Sequence, residues 1–79
     1  MQAKNREIAE ATIREAARKW PSSFVARIKV PEFTGGIMSI GYLANLDSQG
    51  LGVPGAFNLG RQKAYPVDAL VEWLIERLN

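Results

Sequence analysis

The chain has 79 residues, 47% hydrophobic and 23% charged, with a formal charge of +2; that suits one folded domain with a modest core, and not a disordered polymer. It has no cysteine and no histidine, which excludes disulfides, thiol nucleophiles, imidazole bases and the usual zinc ligands together. No stretch approaches the ~20 apolar residues of a membrane span, and the start, Met-Gln-Ala-Lys-Asn-Arg-Glu, lacks the apolar run of a secretory signal, so a cytoplasmic protein is expected.

From Asn5 to Trp20, apolar positions Ile8, Ile13, Ala16, Ala17 and Trp20 recur among charged residues at the spacing of an amphipathic helix, which Pro21 ends. Glu7 and Glu10 lie in its early turns and Arg18 and Lys19 in its last, as the helix dipole favours. Phe24 to Val30 reads as an extended lead-in or short strand, with apolar and basic residues alternating after Ala26. Pro31 opens a helix that Gly35-Gly36 must end within one or two turns.

Ser39 is a natural N-cap for a helix running to Gln49, with Leu43 and Leu46 on its inner face. The glycines and proline between Gly50 and Gly55 mark a turn. Beyond it, residues 56–59 and 62–65 read as two strands folded about Gly60-Arg61. Pro66 then starts a last helix, with Asp68 in its first turn and Leu70, Trp73, Leu74 and Leu78 facing inward.

Charge is distributed unevenly. Between Ala11 and Tyr65, seven cations (Arg14, Arg18, Lys19, Arg27, Lys29, Arg61 and Lys63) meet only Glu15, Glu32 and Asp47, whereas the last helix carries Asp68, Glu72 and Glu76 against Arg77. Such a chain can turn a basic side to phosphates and an acidic helix away from them. Glu72 and Glu76, one turn apart, read as a solvated acidic stripe and not as a catalytic acid and base, because no cleft residue or metal ligand converges on them.

The order is helix, short helix, glycine turn, capped helix, basic-tipped hairpin, closing helix. That is the order of a winged helix, giving an expected α+β fold: a small winged helix-turn-helix with a two-stranded hairpin wing and an extra N-terminal helix. It comprises one domain over residues 1–79, with the N-terminal helix at 5–20 and the winged core at 28–78. The ordered set Gly36, Ser39, Leu43, Leu46, Asp47, Gly50, Leu59-Gly60-Arg61, Tyr65, Leu70 and Trp73-Leu74 resembles the excisionase and AlpA-like family of the wider MerR-like group. The family pattern is a short helix, a glycine turn, a serine-capped recognition helix, a Leu/Ile-Gly-Arg wing and a closing helix ending in Trp-Leu.

The resemblance implies a non-enzymatic, sequence-specific binder of double-stranded DNA, either a phage or mobile-element excisionase (a recombination accessory factor) or an AlpA-like transcriptional regulator. It implies no cofactor, metal, membrane or small-molecule substrate. A recombinase, or further copies of the chain on DNA, are its natural companions. The expected DNA-binding residues are Ser39, Tyr42 and Asn45 on the capped helix, Arg61, Gln62 and Lys63 on the wing, and Lys29 before the short helix. Ser39 is a cap first and a phosphate ligand second; Tyr42 can stack or donate to a phosphate; Asn45 can pair bidentately with adenine. Arg61 and Lys63 suit phosphates, and Gln62 the minor groove. Arg27 can clamp the backbone beside Lys29, although solvated charge is the default for both.

Relatives commonly carry Arg or Lys just after the capping serine and again one turn later, where this chain has Ile40, Gly41 and Asn45. That uncharged helix motivates the alternative, a protein interaction module on a winged-helix scaffold without DNA binding. In that case the amphipathic first helix with Trp20 at its end serves either dimerisation or the core.

Overall fold

The computed structural model describes residues 3–78. Within them, four helices and a three-stranded antiparallel sheet form an α+β fold, in the order α1 (Ala3–Lys19), β1 (Phe24–Ala26), a 3-10 turn (Arg27–Lys29), α2 (Val30–Phe33), α3 (Ile40–Ser48), β2 (Phe57–Leu59), β3 (Gln62–Pro66) and α4 (Val67–Glu76). None of these helices is long and apolar enough to cross a membrane.

The expected hairpin is present as β2 and β3, with Leu59 opposite Gln62, so that only Gly60 and Arg61 form the loop. Gly60 has φ +63°, and among the described residues no non-glycine residue has positive φ. A glycine at the first central position is what the right-handed strand twist favours in a two-residue loop. A third strand joins the pair: β1 lies along the other edge of β3, with Val25 opposite Tyr65 and Ala26 opposite Ala64. The extended segment is thus shorter than the alternation suggests. Past Ala26 the chain turns into the 3-10 stretch and directly into α2, and this bend carries the Arg27 side chain toward α3 and β3.

Alternation along the strands sorts the sheet into two faces. Val25 and Tyr65, both fully buried, share the inner face with Asn58 and Lys63, while Phe24, Phe57, Leu59, Gln62, Ala64 and Pro66 lie on the outer face. The core between the inner face and the helices includes Val30, Leu43, Leu70, Val71, Trp73 and Ile75. Full burial of a side chain such as Leu43 or Leu70, both at 0% exposure, contributes about 2 kcal/mol.

The first helix completes that core. Ile13, Ala16 and Ala17 pack on it, and the Trp20 ring meets Phe33 edge-on at 5.4 Å while its Nε1 donates to the Phe24 carbonyl at 3.0 Å. Arg6 donates to the carbonyls of Leu78 (3.1 Å) and Ile75 (3.4 Å), where a cation suits the carbonyl end of α4. Arg14 pairs with Glu72 at 2.9 Å. The acidic stripe of α4 is therefore partly neutralised by α1, through an exposed pair contributing at most about 1 kcal/mol.

Candidate nucleic-acid interface

Helix α3 begins as expected. Ser39 has extended dihedrals, and its hydroxyl accepts from the Tyr42 backbone N–H at 3.1 Å, a cap contributing about 1 kcal/mol. Leu43 is fully buried and Leu46 packs against the core, so helical spacing turns Gly41, Tyr42, Asn45, Ser48 and Gln49 together to solvent. Tyr42 is 46% exposed, which settles its position on the outside of the helix. Asn45 is exposed, and its backbone carbonyl accepts from the Ser48 hydroxyl at 2.8 Å.

Asp47 anchors α3 to the rest of the fold. Its Oδ2 accepts from Arg27 Nη2 at 2.5 Å and from the Tyr65 hydroxyl at 2.6 Å, and Arg27 Nε donates to that same hydroxyl at 3.0 Å. The closed triangle joins α3, the 3-10 turn and β3, with the Arg27 and Asp47 side chains only 21% and 13% exposed. Arg27, expected at the surface as a backbone clamp, is instead committed to this internal pair. The hydrogen bonds to Tyr65 and Asp47 hold its guanidinium more firmly protonated than usual. The next loop closes tightly over the triangle: a Cβ on Gly52 would fall against the Asp47 carboxylate, 3.0 Å from its Cγ.

Burial raises the Tyr65 hydroxyl above the ordinary tyrosine range, and its bond to Asp47 adds to this while Arg27 opposes it. An unfolded tyrosine loses its proton near pH 10. The folded phenol holds its proton to higher pH, so its contribution to stability is complete below about pH 10 and is lost as pH rises through the folded value. Urea unfolding at pH 8 and about pH 11 is expected to show a smaller alkaline loss of stability in Tyr65→Phe than in the parent chain. An equal loss in both would show that this phenol does not titrate with folding.

The other sequence-expected residues do not share one face. Lys29 is exposed on the turn that packs against α3 and β3. Lys63 is on the inner face of the sheet, the side toward α3. Together with Asp47 and the Gly50–Ala56 loop it lines a shallow depression of about 400 Å³ between the end of α3 and the hairpin. Arg61 is exposed at the hairpin tip, whereas Gln62 points to the outer face with Leu59. Lys29, Arg61 and Lys63 have no ion-pair partner among the described residues. Ser39, Tyr42 and Asn45 thus share one helix with the Lys63 side of the hairpin beside its far end, while Gln62 is turned away.

On another side of the molecule, Ile13, Ala16, Phe33, Ile37, Met38 and Leu74 line an open groove of about 410 Å³ with Arg77 at its edge. Ile37 there is 81% exposed. Arg77 lies 3.8 Å over the centre of the Trp73 ring. No group of three or more carboxylates, histidines or cysteines able to hold a metal occurs among the described residues. Searches of protein-family models, curated proteins and solved structures found no match to this chain.

Proposed function

We propose that the chain is a winged-helix protein that binds double-stranded DNA, with α3 in the major groove and the β2–β3 hairpin on the adjacent backbone. The observation that carries this reading is the pairing of two surfaces. A helix with Tyr42, Asn45, Ser48 and Gln49 on its solvent side ends, at Asp47, on the depression that Lys63 of the hairpin also lines, and the hairpin's cations, Arg61 and Lys63, are not neutralised by any described carboxylate. A duplex groove admits one helix, and amides and hydroxyls on that helix can read base edges while cations nearby grip phosphates. On the family resemblance, the role is that of an excisionase or an AlpA-like regulator.

Fluorescence anisotropy with a mixed-sequence duplex at several salt concentrations tests the reading. Contacts from Lys29, Arg61 and Lys63 predict a slope of log affinity against log salt of roughly −2.7, at about −0.9 per phosphate. Absence of binding at about 50 mM salt would reject it. On duplexes selected from a random pool, Asn45→Ala is expected to cost about 1–3 kcal/mol on the preferred sequence and little on others. Equal weakening on all sequences would show that Asn45 is not a base reader.

A second reading, a protein interaction module, draws on the apolar groove beside Ile37, a residue too exposed to be explained by the core. It predicts salt-insensitive failure to bind duplex.

A further inference from the structure

Helix α3 carries a glycine that the fold does not require. Of the seven glycines in the chain, Gly35, Gly36, Gly50, Gly55 and Gly60 have positive φ, where other residues are strained. Gly52 lies where a Cβ would strike Asp47. Gly41 has neither reason: it is the second residue of α3, its φ is not positive, and a Cβ built on it would meet nothing within 4 Å. Alanine at such a position lowers the conformational entropy of the unfolded chain and favours the helix, so glycine lowers stability without any return inside the molecule.

The return lies outside it. Gly41 is exposed, Tyr42 beside it is 46% exposed, and Asn45 follows one turn later on the same side. The outward face of α3 therefore has a notch at its first turn, bordered by two polar side chains. Removing a Cβ is how a backbone is brought close to a ligand. We propose that Gly41 is the point of closest approach between α3 and the base-pair edges of a duplex major groove, so that the first turn of the helix sits deepest. The inference rests on the DNA-binding reading above and adds the docking depth and direction of the helix.

Gly41→Ala tests this, because fold and docking predict opposite signs. Thermal melting followed by circular dichroism is expected to show a midpoint unchanged or raised by a few degrees. Anisotropy with a duplex selected by the parent chain is expected to show binding weakened about tenfold, the scale of one lost base contact. Unchanged affinity with a raised midpoint would make Gly41 a neutral surface position and overturn the proposal. A lowered midpoint would also overturn it, by showing a structural need for glycine. Should the parent chain retain no duplex at about 50 mM salt, the DNA-binding reading fails and takes this inference with it. Should the parent bind and Gly41→Ala bind equally well, only the docking inference fails.

Discussion

Asp47→Ala is expected to lower the unfolding free energy by about 3 kcal/mol, measured as a fall in the urea midpoint at unchanged slope. The carboxylate is the shared acceptor for Arg27 and Tyr65, so its removal leaves Arg27 Nη2 and the Tyr65 O–H without their acceptor in a site mostly shielded from water, with only the Arg27 Nε to Tyr65 bond remaining. Because Arg27 remains 21% exposed, the loss belongs at the lower end of the range for breaking a buried ion pair. A domain of this size has only about 4–12 kcal/mol in total, so the variant sits near the threshold of folding. Replacing all three members with apolar residues (Arg27→Met, Asp47→Leu and Tyr65→Phe) is expected to cost less than the single change. It leaves no polar group without a partner. If the triple variant proves less stable than Asp47→Ala, the triangle contributes net attraction and not merely mutual satisfaction.

The double variant Arg61→Ala with Lys63→Ala is expected to weaken duplex binding about a hundredfold at about 50 mM salt, on the scale of two charge-assisted contacts. It should also make the salt slope shallower by about 1.8, two contacts at about 0.9 each. Both side chains are free of internal ion pairs among the described residues, and Arg61 is exposed at a turn that Gly60 makes. Stability should therefore stay within about 0.5 kcal/mol of the parent. Retained affinity with an unchanged slope would remove the hairpin from the interface and leave α3 to account for any binding.

Much of the scaffold can be read from local signals. Apolar spacing marks α1 and α4, Pro21 and Pro66 mark where one stops and the other starts, Ser39 marks the entry to α3, and Gly60 marks the hairpin turn. Each of these acts within a few residues, which is the range that periodicity and capping cover. The pairing of β1 with β3 is of another kind. Three residues, Phe24–Ala26, find partners about forty positions away, and nothing in their own pattern names those partners. The Arg27, Asp47 and Tyr65 triangle was hidden for the same reason, since its members come from three elements and each looks like an ordinary surface residue or helix-end group in isolation. Arg27 is consequently lost from the candidate interface, while Tyr42 and Asn45 fall on the outside of α3 as their spacing from Leu43 and Leu46 requires. Gln62 shows how alternation decides direction: one position from Lys63, it faces the opposite side of the sheet.

The third strand has a mechanical consequence for the hairpin. Ala64, Tyr65 and Pro66 are held by β1, and Ala64 by β2 as well, while Gln62 and Lys63 are held by β2 alone. The arm is a cantilever clamped at its root, with only its last rungs overhanging. Its reach relative to α3 is therefore preset by the body of the molecule, and any adjustment to a surface must come from bending of the final few residues and not from swinging of the whole arm.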